Sequence, residues 1–219
     1  MARRALVLRP EPGNARTCAA LRAAGVEAVA LPLFAVVPRR WTVPAAERFD
    51  ALLLTSANAV RHAGEGMQAL AHLPVVAVGE ATAAAARAAG LSVAVTGDGD
   101  AARAVALAAR YPRLLHLAGR DRVAAPGVEA VTVYASERVA VPGDAMAAAR
   151  GAVVLLHSRR AATRFVAMLG AVPRASVRVV ALSPAVADVL GAGWDSVTVA
   201  ARPGDAAMVE AAARVAIDP

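Results

Sequence analysis

AAGVEAVALPLF at residues 23–34 and APGVEAVTVYAS at residues 125–136 share five consecutive letters, Gly25-Val26-Glu27-Ala28-Val29 and Gly127-Val128-Glu129-Ala130-Val131. Each copy reads as a β-strand, at 26–31 and 128–133. Similar short Val/Leu/Ala runs recur at 4–8, 50–54, 74–78, 91–95, 113–117, 152–156, 176–181 and 195–199, separated by alanine-rich segments of helical length. Continuous apolar strands alternating with helices are the pattern of βα units, in which a parallel sheet is covered on both faces. An α/β protein with ten strands is expected.

The segments also align with one another. FDALLLTSANAV (49–60) matches RGAVVLLHSRRAA (150–162), and LPVVAVGEATAAAARAAGLSVAV (73–95) matches ASVRVVALSPAVADVLGAGWDSVTV (175–199). In both halves a strand ends at a serine, Ser56 or Ser158. The next strand turns through Gly79 or Ser183 into a helix, and Gly90 or Gly193 leads to a third strand. The first half then continues to its GVEAV strand, whereas the second stops two strands short, and the missing strands stand at the N-terminus. This cyclically offset duplication predicts two similar five-stranded, flavodoxin-like domains. Domain 1 is discontinuous, 1–34 with 141–219; domain 2 is inserted, 44–133. Linkers at 35–43 and 134–140 cross between them. Two such connections imply a bilobed molecule with a cleft.

Composition narrows the class. The 219 residues carry a net charge of +7 that comes entirely from arginine, since the sequence contains no lysine. An anionic partner fits that balance. Nucleic acid fits it poorly, because aromatic residues are only 3% and the arginines are dispersed, leaving few rings on which bases could stack. No uncharged apolar run approaches the roughly 20 residues of a membrane span, and MARRALVLRP lacks a signal-peptide cleavage pattern. The single cysteine, Cys18, cannot form an internal disulfide. A cytoplasmic protein without membrane or nucleic-acid partners is expected.

In parallel α/β sheets, ligands gather at the carboxyl ends of strands, where helix N-termini present N–H groups to anions. The corresponding loops are Arg9-Pro10, Thr55 to Asn58, Gly79 to Thr82, Ala118 to Arg120, His157 to Arg159, and Ser183-Pro184. Serine or threonine before a helix is equally what N-capping requires. P-loop, dinucleotide-fingerprint and nucleophile-elbow motifs are missing, and the four histidines have no metal-ligand spacing. No cofactor and no metal are expected.

Taken in order, the RP after the first strand, LPLFAVVP (31–38), DALLLTSANAV (50–60), VAVGEATA (76–83), VTVY (131–134), VVLLHS (153–158), and the closing ALS (181–183) and GW (193–194) resemble the uroporphyrinogen-III synthase family over nearly the whole chain. The resemblance implies the same two-domain, doubly crossed architecture. It implies a cofactor-free hydro-lyase that closes hydroxymethylbilane, a linear tetrapyrrole with eight carboxylates, inverting the last ring through a spiro intermediate and releasing water. Residue by residue, it implies a catalytic Tyr134, which would help the hydroxyl depart, and substrate-binding Arg9, Ser56, Thr82, Ser158 and Ser183. A monomer with a small-molecule substrate is expected. Between Gly119 and Gly127 the chain has only RDRVAAP where the N-terminal copy has a helix. That trimmed segment keeps a second reading open, a non-catalytic anion-binding or regulatory relative of the same fold.

Overall fold

The computed structural model describes residues 3–98, 101–122, 124 and 127–217. From the N-terminus the chain forms β1 (Ala5–Val7), α1 (Gly13–Ala23), β2 (Ala28–Ala30), β3 (Phe34–Pro38), β4 (Ala51–Leu54), α2 (Ala57–His62), α3 (Gly66–Ala69) and β5 (Val75–Ala77). It continues through α4 (Glu80–Ala88), β6 (Val93–Thr96), α5 (Ala101–Leu107), β7 (Leu114–Gly119) and β8 (Glu129–Arg138). It closes with β9 (Val153–Leu156), α6 (Arg159–Met168), β10 (Arg178–Ala181), α7 (Pro184–Ala187), β11 (Ser196–Val199) and α8 (Asp205–Ile217).

Two compact units result, Met1–Ala35 with Arg138–Pro219, and Val36–Glu137. The first holds a five-stranded sheet in the order β11-β10-β9-β1-β2, with every neighbouring pair parallel. Its central strands are buried on both faces, as β9 and β10 show at every position. Side chains alternate between the faces with period two. Leu6, Val154, Leu156 and Val179 pack with Phe165 and Leu169 of α6 and its end. Val7, Val153, Leu155 and Val180 pack with Leu21 of α1 and Met208 and Ala212 of α8. Arg178 is tolerated in β10 because its Nε donates to Asp195 at 2.8 Å and its guanidinium to the Val215 carbonyl at 2.7 Å.

The second sheet runs β3-β8-β7-β4-β5-β6, and β8 through β6 are parallel in turn. It has six strands where five were expected. The additional one is β3, which begins at the last residue of the first domain 1 segment and runs into the stretch read as a linker, 35–43. Arg39 donates its N–H to the Val133 carbonyl (2.9 Å) and Val139 to the Leu33 carbonyl (3.0 Å). One partner's number rises as the other's falls, the mark of an antiparallel ladder. Sequence periodicity missed β3 because a five-residue run ending in proline, FAVVP, carries no helix-strand alternation of its own.

The repeated GVEAV occupies matching places. Gly25 and Gly127 both adopt left-handed backbone, φ 78° and 72°, a conformation that a side chain disfavours. Val29 then pairs with Leu6 of β1, and Val131 with Leu117 of β7, both in parallel register. The copies differ in surroundings: β2 is the edge of its sheet, while β8 is covered by β3. The units also differ in cover. One face of the first sheet carries α1 and α8; the corresponding core of the second, built on Leu53 and Val76, is covered by Ala104 and Ala108, from α5 and just beyond it. Of the trimmed 119–127 segment, residues 123, 125 and 126 lie outside the described residues.

Phe165 is fully buried and stacks on Trp194 with ring centroids 5.8 Å apart. Phe165→Ala is expected to destabilise the protein by about 3–5 kcal/mol, measured by urea unfolding. Leu107→Ala, at a side chain 61% exposed, is expected to change it by less than about 0.5 kcal/mol.

Candidate functional site

In each unit the parallel strands deliver their carboxyl ends to one sheet edge, and the polar residues of the chain collect there. In the first unit this edge carries Arg9, His157, Ser158 and Ser183, which follow β1, β9 and β10. In the second it carries Thr55, Ser56, the first turn of α4 with Thr82, and the β7–β8 end with Gly119 and Tyr134.

The three serines stand at helix starts in extended backbone. Ser56 accepts from the Asn58 N–H and Ser158 from the Ala161 N–H, each at 3.2 Å, so both act as N-caps. Ser183 makes no side-chain cap bond, and Pro184 follows it at the first helical position. Thr82 is buried at 6% exposure within α4.

Arg9 is engaged inside its own unit. Its guanidinium donates to Asp205 at 2.9 Å and to the Thr17 hydroxyl at 3.2 Å, while Thr17 donates to the same Asp205 oxygen at 2.7 Å. Burial opposes charge on Asp205, but the hydrogen bond from Thr17 and the Arg9 charge outweigh it and hold the carboxyl below its ordinary range. His157 approaches the same oxygen at 3.3 Å. Burial, reinforced by Arg9, pushes its pKa down to about 4, so at neutral pH it is an uncharged imidazole whose Nε2–H donates to the carboxylate. Arg9, Thr17, His157 and Asp205 thus tie β1, α1, β9 and α8 into one charge-compensated knot.

Tyr134 lies where the β7–β8 register shifts, opposite Gly119. A Cβ at Gly119 would fall 2.8 Å from the ring carbons and 3.0 Å from the hydroxyl. Glycine is therefore required for the ring to lie over the strand end. The phenol hydroxyl has no hydrogen-bond partner among the described residues. The His62 ring is 6.3 Å away, tilted by 39°, and beside it a cavity of about 430 Å³ opens between Arg39, Arg40 and Trp41. On neighbouring β7, His116 faces the Thr55 hydroxyl at 3.0 Å; burial and then Arg122 push its pKa down to about 4.

Of a third feature, the sequence singled out only Arg159, at the end of one candidate loop. Arg138, Arg159, Arg160 and Arg164 line a cavity of about 790 Å³ in the first unit. Thr163 and the aliphatic groups of Ala167, Met168 and Val189 complete the wall. Arg164 is held by the Leu33 carbonyl at 2.7 Å and the Val139 carbonyl at 2.5 Å. Its guanidinium and that of Arg160 lie over the Phe34 ring, 5.3 and 4.8 Å from the centroid. The available signal was three arginines in the six residues RRAATR (159–164) with no acid in the first turn.

Comparison with known proteins identifies the assembly. The family described as Uroporphyrinogen-III synthase HemD matches residues 15–210. The chain belongs to the uroporphyrinogen-III synthase family. This is a family of lyases of tetrapyrrole synthesis. The fold is similar to that of uroporphyrinogen-III synthetase from Helicobacter pylori 26695, with a TM-score of 0.71, 16% identity, and 97% and 99% of the two chains covered. It is also similar to a mutant uroporphyrinogen III synthase from the extremely thermophilic bacterium Thermus thermophilus, with a TM-score of 0.53, 17% identity, and 96% and 98% covered. A sequence search of curated proteins finds no match. Among the described residues of this synthase-family chain, no helix is long and apolar enough to cross a membrane, and no group of His, Cys, Asp and Glu could hold a metal ion.

The neutral histidines make stability depend on pH. Because His116 is depressed to about 4 in the fold, an unfolded chain takes up a proton below about pH 6.5 that the native one refuses. Stability present above that pH is lost as pH falls toward 4, with a slope of at most about 1.4 kcal/mol per pH unit for each such histidine. His116→Gln, which can keep the contact to Thr55, is expected to flatten unfolding free energy against pH in this window, measured by urea titration. A slope equal to the unaltered protein's would contradict the assignment.

Proposed function

We propose that the chain is an active uroporphyrinogen-III synthase, cyclising hydroxymethylbilane to uroporphyrinogen III with inversion of the terminal ring and loss of water. The family match across residues 15–210 carries this reading. The difficulty of this chemistry lies in geometry. A flexible bilane must be held with its terminal ring reversed, and restricting that freedom can supply a large part of the acceleration.

Tyr134 is the proposed general acid. A phenol without an internal partner among the described residues, given room over the strand end by Gly119, can give its proton to the departing hydroxyl of the hydroxymethyl group. The C–O bond breaks and water leaves. Closure then releases a proton from a pyrrole carbon, which restores the phenol, so atoms and charge balance. Proton donation of this kind contributes about 10²–10⁴-fold to a rate. Ser56, Ser158 and Ser183 would orient the substrate from the strand-end loops, while Arg9 and Thr82 would hold those loops in place.

Two outcomes follow. Freshly prepared hydroxymethylbilane incubated with the purified protein is expected to yield the type III isomer in excess over the type I isomer that forms spontaneously. Type I alone, with the bilane bound, would instead support the non-catalytic relative. Tyr134→Phe is expected to slow cyclisation at least about tenfold while leaving the melting temperature unchanged, because no hydrogen bond is lost. Unchanged turnover would remove Tyr134 from the chemistry.

A further inference from the structure

Tyr134 owes its direction to a break in the alternation of β8. Ala118 pairs with Thr132 and Gly119 with Tyr134, so one step along β7 matches two along β8, and Val133 is the extra residue. In a regular strand consecutive side chains point to opposite faces. Here Val133 and Tyr134 both pack against the core that contains Leu54, Leu115 and Leu117. An inserted residue of this kind bends the strand and re-aims the side chain beside it.

Such a bulge has to be held from outside the ladder it interrupts. Val133 has no partner in the β7 register; its carbonyl accepts instead from the N–H of Arg39, just past β3, at 2.9 Å. The Tyr134 carbonyl accepts from the N–H of Arg120, just past β7, also at 2.9 Å. The guanidinium groups of these same two residues converge on one oxygen of Glu137, Arg39 through Nη2 and Arg120 through Nη1, the latter at 2.8 Å. Arg120 also approaches Asp121 at 3.7 Å. One carboxylate, three residues beyond Tyr134, therefore ties together both residues whose N–H groups hold the bulge. All three side chains are half-exposed, and ion pairs in that setting add little to stability. What charge-assisted bonds of this kind supply is fixed orientation.

We propose that Glu137 is a positioning residue for Tyr134: by clasping Arg39 and Arg120 it sets the bulge at Val133 and so the direction of the phenol. It acts through the backbone and donates no proton itself. A proton donor works only within hydrogen-bond reach of the atom it serves, and a displacement of about 1 Å can cost on the order of a hundredfold in rate. The consequence for cyclisation rests on the synthase reading; the clasp itself does not.

The test compares Glu137→Ala with Glu129→Ala, which removes the ion pair to Arg48 at the other end of the same strand. Where type III isomer is produced, Glu137→Ala is expected to lower kcat at least about fivefold with KM for hydroxymethylbilane unchanged. Added to Tyr134→Phe, it is expected to lower kcat no further, because the two residues act through one phenol. Glu129→Ala leaves kcat and KM as they were. An unchanged kcat in Glu137→Ala, or an equal loss in the Tyr134→Phe background, overturns the proposal and leaves the synthase reading intact. The clasp is read separately in the unliganded protein by nuclear magnetic resonance. Tyr111 and Tyr134 are the two tyrosines of the chain, so carbon-13 labelling of tyrosine rings gives two sets of signals, and Tyr134→Phe identifies one. Glu137→Ala is expected to shift the Tyr134 signal and leave that of Tyr111 in place. Where no type III isomer appears, the synthase reading has failed and this spectrum alone decides the clasp: an unmoved Tyr134 signal overturns it. Should Glu137→Ala not fold, Glu137→Gln, which keeps an uncharged acceptor for both arginines, is read in the same way.

Discussion

Parallel pairing is the constraint on which the rest of the molecule depends. A parallel strand cannot return to its neighbour by a tight turn, so each needs a crossover, and helical crossovers cover the sheet faces. Both faces of each sheet are therefore occupied by core, as the alternation of Leu6 and Val7 shows. What remains for chemistry is the edge where strands end and helices begin. Ser183 and the Arg9 knot stand at such ends, Tyr134 lies opposite Gly119 at the end of β7, and the arginines of α6 follow directly from the end of β9.

Much of this was legible from periodicity. Runs such as ALLL at 51–54 and VVLL at 153–156 are buried at every position, and the alignment of one with the other correctly placed two sheets around them. The GVEAV copies mark equivalent parallel strands because backbone register follows from the same sequence. What escaped is non-local. Whether Arg9 faces a ligand or a partner depends on Asp205, separated from it by 196 residues, and no local pattern carries that pairing. Thr82 reads as a loop residue and lies buried in α4's first turn. β3 gains its strand character from pairing with β8 a hundred residues later, and its own letters are equally compatible with an extended linker.

Net charge over the whole chain implies only a tolerance of anions. The structure sorts that charge by what surrounds it. Arg178 and Arg3 share Asp195, Arg113 meets Asp50, and Arg9 meets Asp205; these pairs organise the fold. Arg164 of α6 has two carbonyls and a phenyl ring as neighbours instead, which position a cation without neutralising it. Composition cannot separate these two kinds of arginine, because it counts charges and not their partners.

The pairing of β3 with β8 has a further meaning for how such a chain could arise. The second unit begins at residue 36 and ends at residue 137, and the strands that carry it in and out lie side by side in one antiparallel ladder. Its two ends are thus neighbours, and so are the two ends of the break it makes in the first unit, joined by the bond from Val139 to Leu33. Adjacent termini are the condition under which one domain can be inserted into another. The cyclic offset of the duplication then needs no rearrangement of strands within either sheet. A copied unit spliced through a single loop, its entry and exit zipped together, is sufficient.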